Sequence, residues 1–351
     1  MNDHNHNPEN RLRIYALLGT AARLDPVRGD MINEARFLTA LTEFADVYYN
    51  GCRFQPDKPD YGLVATDITP PRPDYDLYYV RANPEIFLQC PHPKIAMAYP
   101  YHEEVINSAD ALIVTTDAWK QGLLPYSPDN SFSIPMRRWY GDVTIPDKKI
   151  INIKQTINPD FIDEPGEDEI TEARARLSLA RAFGYFGRID ANTFPKIFLS
   201  AFQLLRKTET DLQFAVGGTV RIPLNRACLR LPRLPHHRMP ALLTACLGTV
   251  TDEGDDAFFL GSGKVLDSMA RGVPVIAYKT PPRVEQLGED YPLYYDTEQS
   301  CLQRIREVLY DTDILSEARK QLKIRTQIFL PTTRAASFRK DLEDVLGLKT
   351  S

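Results

Sequence analysis

The chain has 351 residues, more than one hydrophobic core normally fills, so two domains of roughly 150 residues each are expected. Its composition, 43% hydrophobic and 25% charged, excludes a largely disordered chain, and a net charge of -5 argues against a general nucleic-acid binder. No apolar run approaches the ~20 residues needed to cross a bilayer.

The first ten residues, MNDHNHNPEN, lack an apolar secretory core. They read as a disordered lead-in over residues 1–10 of a cytoplasmic protein, with His4 and His6 in a frayed end. Cys52, Cys90, Cys228, Cys246 and Cys301 are odd in number, scattered and without a CxxC pair, which fits reduced thiols.

RIYALLG (13–19) reads as a buried strand ending in glycine, and MINEARFLTALTEFA places Ile32, Phe37, Leu38, Leu41 and Phe44 on one helical face. DVYYNG, DLYYVRA (76–82), KIAMAYP (94–100) and ADALIVTT (109–116) follow as strands, then the helical TDAWKQGLL and the strand IINIKQTI. Strands apolar on both faces and separated by helices or loops predict a parallel sheet covered on two sides.

Residues 158–171, NPDFIDEPGEDEIT, are acidic and broken by two prolines and a glycine, and read as a linker. A second series begins with the helix TEARARLSLA, the strand FGYFGR (183–188), the helix FPKIFLSAFQLLRKT and the strand LQFAVGG. ACLRLPRL is read as a strand and MPALLTACL as a short helix. GSGKVLDSMARGVPVIA (261–277) reads as a glycine loop, a helix and a buried strand. PLYYD, SCLQRIREVLY, DILSEARKQLKIR and the terminal helix TTRAASFRKDLEDVLG complete the chain. The expected architecture is α/β: two Rossmann-like domains with parallel sheets facing across a cleft. The domains span 11–157 and 172–331, with the helix at 332–348 packing back on the first. Ligands belong at the carboxyl ends of such strands.

The glycine loop looks built to hold phosphate, and three readings compete. A nucleotide-triphosphate loop needs GxxxxGK followed by Ser or Thr, and Phe258 and Val265 occupy two of those positions. A dinucleotide fingerprint needs a third glycine where Leu266 stands.

The third reading rests on order. FGYFGRID, a helix, LQFAVGG, HHRMPALLTAC and GSGKVLDSMARGVPVIAYKTPPRVEQLG together resemble the carboxyl-terminal domain of the family four sugar transferases of the GT-B fold. The match is strong over residues 183–290. ADALIVTTDAWKQGL and KKIINIKQTINPDF resemble that family's last units before the linker more loosely.

The resemblance implies a sugar-nucleotide donor. Ser262 and Gly263 would let backbone approach its diphosphate at a helix N-terminus, with the Lys264 cation one residue on. Asp267, one turn further, stands where the family's glutamate meets the ribose hydroxyls, and is one methylene shorter. Arg188, after Gly187, matches the arginine facing the donor phosphates. Thr193 stands where the family often has lysine. Lys196 is a candidate replacement, or an ordinary helix-surface lysine. Phe259 replaces the family's earlier glutamate. Glu253, Asp255 and Asp256 read as a solvated turn, or as acids that swing in.

A catalytic histidine is expected in the amino-terminal domain, and His102, after KIAMAYP, is the candidate; His92 lies at the wrong end of that strand. The Gly19 loop ends the first strand and is expected near the reaction centre, where Arg23 and Arg28 either hold an anionic acceptor or solvate the loop. His236 and His237 read as surface residues of a proline-rich loop. DYD (74–76) imitates a metal-binding DxD but reads as turn chemistry. MRRWY (136–140) suits an anionic lipid or sugar, and so a peripheral membrane contact, or an exposed loop.

The expected reaction moves a hexose from a UDP- or GDP-sugar to the hydroxyl of a saccharide, lipid or other small acceptor, with retention. No cofactor or metal is required, because Lys264, Arg188 and a helix terminus neutralise charge. The alternatives are an inactive GT-B scaffold that binds a sugar nucleotide or a partner subunit, and epimerisation of a sugar nucleotide.

Overall fold

The computed structural model describes residues 11–17, 29–50, 62–66, 74–81, 84–98, 103–123, 149–153, 155–191, 193–224, 226–251 and 261–347. The amino-terminal lobe runs β1 (Leu12–Leu17), α1 (Gly29–Leu41), β2 (Ala45–Asn50), β3 (Leu63–Thr66), β4 (Leu77–Val80) and α2 (Pro84–Gln89). It continues with β5 (Lys94–Met97), α3 (Glu103–Ser108), β6 (Ala111–Val114), α4 (Asp117–Leu123) and β7 (Lys149–Asn152). Its seven strands are parallel, in the order β3-β2-β1-β4-β5-β6-β7.

The carboxyl-terminal lobe begins with α5 (Glu167–Arg176), β8 (Arg181–Ile189), α6 (Lys196–Leu205), β9 (Leu212–Val220), β10 (Cys228–Leu231), α7 (Met239–Thr244) and β11 (Gly248–Thr251). Then come α8 (Gly263–Ala270), β12 (Val275–Tyr278), α9 (Pro281–Leu287), β13 (Tyr294–Tyr295), α10 (Glu298–Tyr310), α11 (Thr312–Ile328) and α12 (Pro331–Leu346). Six parallel strands pair in the order β10-β9-β8-β11-β12-β13.

Both sheets reverse their strand order beside their own first strand, between β1 and β4 and between β8 and β11. At such a point the connections leave in opposite directions and open a crevice at the carboxyl strand ends, the usual ligand position in doubly wound sheets.

Burial on both faces explains the continuous apolar strands. LYYV of β4 and ALIV of β6 are buried at every residue. In the amino-terminal lobe Ala35, Leu38 and Leu41 of α1 pack on one face of the sheet, and Phe87, Val105 and Ile106 on the other. Phe338 and Leu342 of α12 belong to that amino-terminal core, where the Phe338 ring meets Phe37 at 5.6 Å. In the carboxyl-terminal lobe Phe198 and Phe202 of α6 pack on Phe183 and Phe214 of the sheet, with Phe198 and Phe214 4.9 Å apart.

Several elements differ from expectation. β3, β11, α2 and α3 were not read from the sequence. The helix expected at 171–180 is α5, which starts at Glu167 within the acidic stretch. Glu167, Asp168 and Glu169 form its first turn, Arg174 and Arg176 its last, and the Glu169 carboxylate accepts from Gly166 N at 3.1 Å. These charges complement the helix dipole at both ends, so the acids build a helix rather than a solvated linker. Positive φ at Ser178 and Leu179 then ends it.

The segment joining the lobes is fastened on both sides. Thr156 Oγ1 donates to Arg36 O at 2.9 Å, and Arg271 Nη1 donates to the carbonyls of Phe161 (3.2 Å) and Asp163 (2.9 Å). Cys90, Cys246 and Cys301 are buried thiols and Cys228 is half-buried; Cys52 lies outside the described residues. Among the described residues no helix is long and apolar enough to cross a membrane.

Candidate functional site

The end of β8 sets the first half of the site. Gly187 (φ +152°) faces Gly218 (φ +126°) of β9 in register. A Cβ on Gly218 would run into the Gly187 carbonyl, so the two strands close up only because side chains are absent. The space above Gly187 is taken by Lys264 of α8. A Cβ on Gly187 would lie 3.3 Å from Lys264 Cδ and 3.6 Å from Nζ, and Nζ stands 5.3 Å from the Tyr185 ring centroid. The chain's two phosphate-type motifs, FGR and GSGK, thus meet through one lysine.

Arg188 follows at the strand end. Its side chain is 57% exposed and Nε pairs with Asp190 at 2.6 Å. Thr193, where the resemblance expects lysine, is built into the loop instead: Oγ1 donates to Arg188 O at 2.7 Å, and its N–H donates to Asp190 Oδ1 at 3.0 Å. Lys196 is exposed at the first residue of α6.

The amino end of α8 sets the second half. Gln286 of α9 clamps Ser262, accepting from its N–H at 3.1 Å and donating to its carbonyl at 3.0 Å. Arg283 Nη1 in turn donates to Gln286 at 3.1 Å. Ser262 is the N-cap of α8 yet makes no side-chain cap bond; it is 4% exposed, and its Oγ has no partner among the described residues. A helix N-terminus without a side-chain cap is suited to an anion.

Asp267 lies on the same helix, turned toward the other lobe. Oδ1 pairs with Arg36 of α1 and Oδ2 with His236 Nε2 at 3.1 Å. Burial pushes this carboxyl up, but the charges and hydrogen bonds of Arg36 and His236 outweigh it and hold Asp267 below the ordinary aspartate value of 3.8. His236, expected at the surface, is only 9% exposed. Its ring lies tilted against Phe161, centroids 4.7 Å apart, and Nδ1 faces the Asn158 amide nitrogen at 3.3 Å. Nε2 lies 3.1 Å from Asp267 Oδ2 and 3.1 Å from Arg36 Nη2. Proline in the flanking sequence marks the turn, but a partner thirty-one positions on and a second lobe bury the ring.

Sequence reasoning therefore missed Arg36, Arg283 and Gln286 and misplaced His236. A signal existed for α1: Glu34 stands one turn before Leu38 on the buried face, and a charge in an apolar stripe announces a buried pair. Glu34 accepts from Tyr79 OH at 2.8 Å and pairs with Arg81.

The DYD turn anchors the amino end of β4: Asp76 accepts from Arg13 N at 2.7 Å and Asp74 pairs with Arg13 at 3.3 Å. Gly19, Arg23, Arg28, His102, Glu253, Asp255, Asp256, Phe259 and the MRRWY stretch lie outside the described residues. Among the described residues no group of three or more His, Cys, Asp or Glu could hold a metal ion.

No protein-family model matches this sequence, and no curated protein matches it. Solved structures do. HepE of Anabaena in complex with UDP-glucose is 13% identical over 96% of this chain and 100% of that one, with a TM-score of 0.67. Sucrose-phosphate synthase from Thermosynechococcus elongatus is 14% identical over 96% and 100%, with a TM-score of 0.66. The α,α-trehalose 6-phosphate synthase of Burkholderia multivorans is 12% identical over 96% and 97%, at 0.62. The chain has the GT-B fold. At these identities the likeness is one of fold, and the GT-B crevice is where Lys264, Gly187 and the α8 terminus converge.

Proposed function

We propose that this GT-B chain is a glycosyltransferase acting on a nucleoside-diphosphate sugar. One observation carries the reading: Lys264 at the first turn of α8 lies on Gly187 at the end of β8, so a cation, a helix N-terminus without a side-chain cap and Arg188 share one strand end. Breaking the bond between sugar and diphosphate leaves negative charge on the departing phosphate, and preorganised donors at that spot are the largest kind of catalytic contribution. HepE, of the same fold, has been crystallised with UDP-glucose and with UDP and glucose.

In this reading Lys264 and Arg188 bind the diphosphate and stabilise it as it leaves, Gly263 offers its backbone N–H and Ser262 its unpartnered hydroxyl, and Gly187 keeps the floor of the pocket low. Lys196 reaches in from α6. Gly19 belongs to the donor-binding set, and His102 is the catalytic residue on the acceptor side. The finer assignments rest on the resemblance to family four: a hexose donor on UDP or GDP, a saccharide, lipid or other small acceptor, retention at the anomeric carbon, and charge neutralisation without a metal. A peripheral membrane contact and a cytoplasmic location belong to the same reading.

The rival, a scaffold that binds donor without turnover, is favoured by one observation: both oxygens of Asp267, the expected ribose ligand, are already taken. A thermal-shift panel of UDP, GDP, ADP and their sugars, followed by assays of donor hydrolysis and transfer, separates the two. Binding with turnover supports the enzyme, and binding with neither hydrolysis nor transfer supports the scaffold.

A further inference from the structure

Arg36 reaches the α8 terminus from the opposite lobe and is only 2% exposed. Its partners gather on one nitrogen: Nη2 meets Asp267 Oδ1 and lies 3.1 Å from His236 Nε2. Nε and Nη1 have no partner among the described residues. A buried guanidinium rarely keeps two unpaired donors unless water, an ion or a ligand completes them.

Nη1 is aimed at the first turn of α8. A Cβ on Gly263 would lie 2.5 Å from Nη1 and 3.4 Å from Cζ, so glycine at 263 is what admits the guanidinium. The buried, unpartnered Ser262 Oγ is the adjoining residue. Two buried side chains with unpartnered polar atoms therefore converge on the amino end of α8. Each Asp267 oxygen already has a partner, Arg36 on one and His236 on the other.

We propose that Arg36 is the amino-terminal lobe's contribution to the donor site: it binds a diphosphate oxygen, and Asp267 and His236 position it instead of touching the ribose. The proposal rests on the sugar-nucleotide reading above. A permanently charged guanidinium with Nη1 unpartnered beside the helix terminus suits a phosphate oxygen. Aspartate at 267, shorter than glutamate, keeps the fork at the helix terminus. The diphosphate then joins the lobes, with Lys264 on one side and Arg36 on the other.

The test compares affinities for UDP, GDP and ADP, each beside its own nucleoside, by calorimetry on the full chain. The wild type should bind one diphosphate more tightly than its nucleoside. Arg36→Gln should lose about tenfold or more in diphosphate affinity, the size of one charge-assisted hydrogen bond, while nucleoside affinity holds. Asp267→Asn should show the same diphosphate-specific loss, the double variant should be no worse than Arg36→Gln, and Arg36→Lys should fall between. If Arg36→Gln does not fold, Gly263→Ala, which keeps the charge but displaces Nη1, should reproduce the loss.

Three results overturn the proposal. Nucleoside and diphosphate affinities fall together in Asp267→Asn, as a ribose ligand requires. Arg36→Gln or Gly263→Ala leaves diphosphate affinity intact while Lys264→Ala destroys it, in which case the donor-site reading stands and this one falls. The wild type binds none of the three diphosphates, and both readings fall.

Discussion

The two lobes of this molecule share a plan and use it differently. Each is a parallel sheet whose strand order reverses beside its first strand. In the amino-terminal lobe Glu34 is consumed internally, buried between Tyr79 and Arg81, while Arg36 reaches across to Asp267. In the carboxyl-terminal lobe Lys264 lies over bare glycine backbone and Arg188 stands in solvent. The same topology thus carries a stabilising pair at Glu34 and exposed cations at Lys264 and Arg188, and the difference lies in a few side chains rather than in the fold.

That contrast breaks most visibly at Glu34. Glu34→Ala strips Tyr79 and Arg81 of their shared acid, and removing one partner of a buried ion pair costs about 3–5 kcal/mol. A large drop in melting temperature is expected; an unchanged one would mean that the amino-terminal charges are as dispensable to stability as those opposite. Lys264→Ala is the mirror case. Turnover of the donor should fall about 10²–10³-fold, the usual effect of losing one oxyanion-type donor, with melting within a few degrees of wild type. Steady-state kinetics beside a thermal scan show whether the two effects separate.

The backbone beneath Lys264 comes next. Gly218→Ala combines a φ of +126° with a collision against the Gly187 carbonyl. Its cost is about 1–3 kcal/mol in denaturant unfolding, and a neutral result would mean that the strand ends are not closed as described.

Acid titration sharpens the lobe interface. The folded-state value of Asp267 lies below 3.8, so its contribution to stability is complete above that pH and is lost as the pH falls through the lower, folded value. Wild type should therefore lose stability below pH 3.8 more steeply than Asp267→Asn, and parallel acid unfolding curves would dissolve the Arg36–Asp267–His236 link. The smallest effect is expected at Lys196. A cation at the amino end of α6 opposes the helix dipole, so Lys196→Ala should stabilise by about 0.3–1 kcal/mol. A turnover loss matching Lys264→Ala would move this lysine into the centre of the site.

Much of the carboxyl-terminal lobe was legible because its signals are local. The strand before Gly187, the glycine before Lys264 and the amphipathic α6 each announce themselves within a few residues. β11 escaped because GTVT carries two threonines on a fully buried strand. Their hydroxyls are satisfied from afar, Thr249 by Ser268 at 2.7 Å and Thr251 by Arg283 at 3.4 Å, and hydrophobic periodicity does not register such pairs. Arg36 and His236 escaped for the same reason at longer range, since two hundred positions separate them. Secondary structure follows from neighbours in sequence; a site assembled between lobes follows from the packing of the whole chain.

The most direct measurement is a structure of the chain crystallised with a nucleoside diphosphate. The account predicts the terminal phosphate about 3 Å from Lys264 Nζ and from the N–H groups that open α8, with Arg188 alongside. A phosphate seated at any other place, or a crevice between β8 and α8 that stays empty beside saturating ligand, would contradict it.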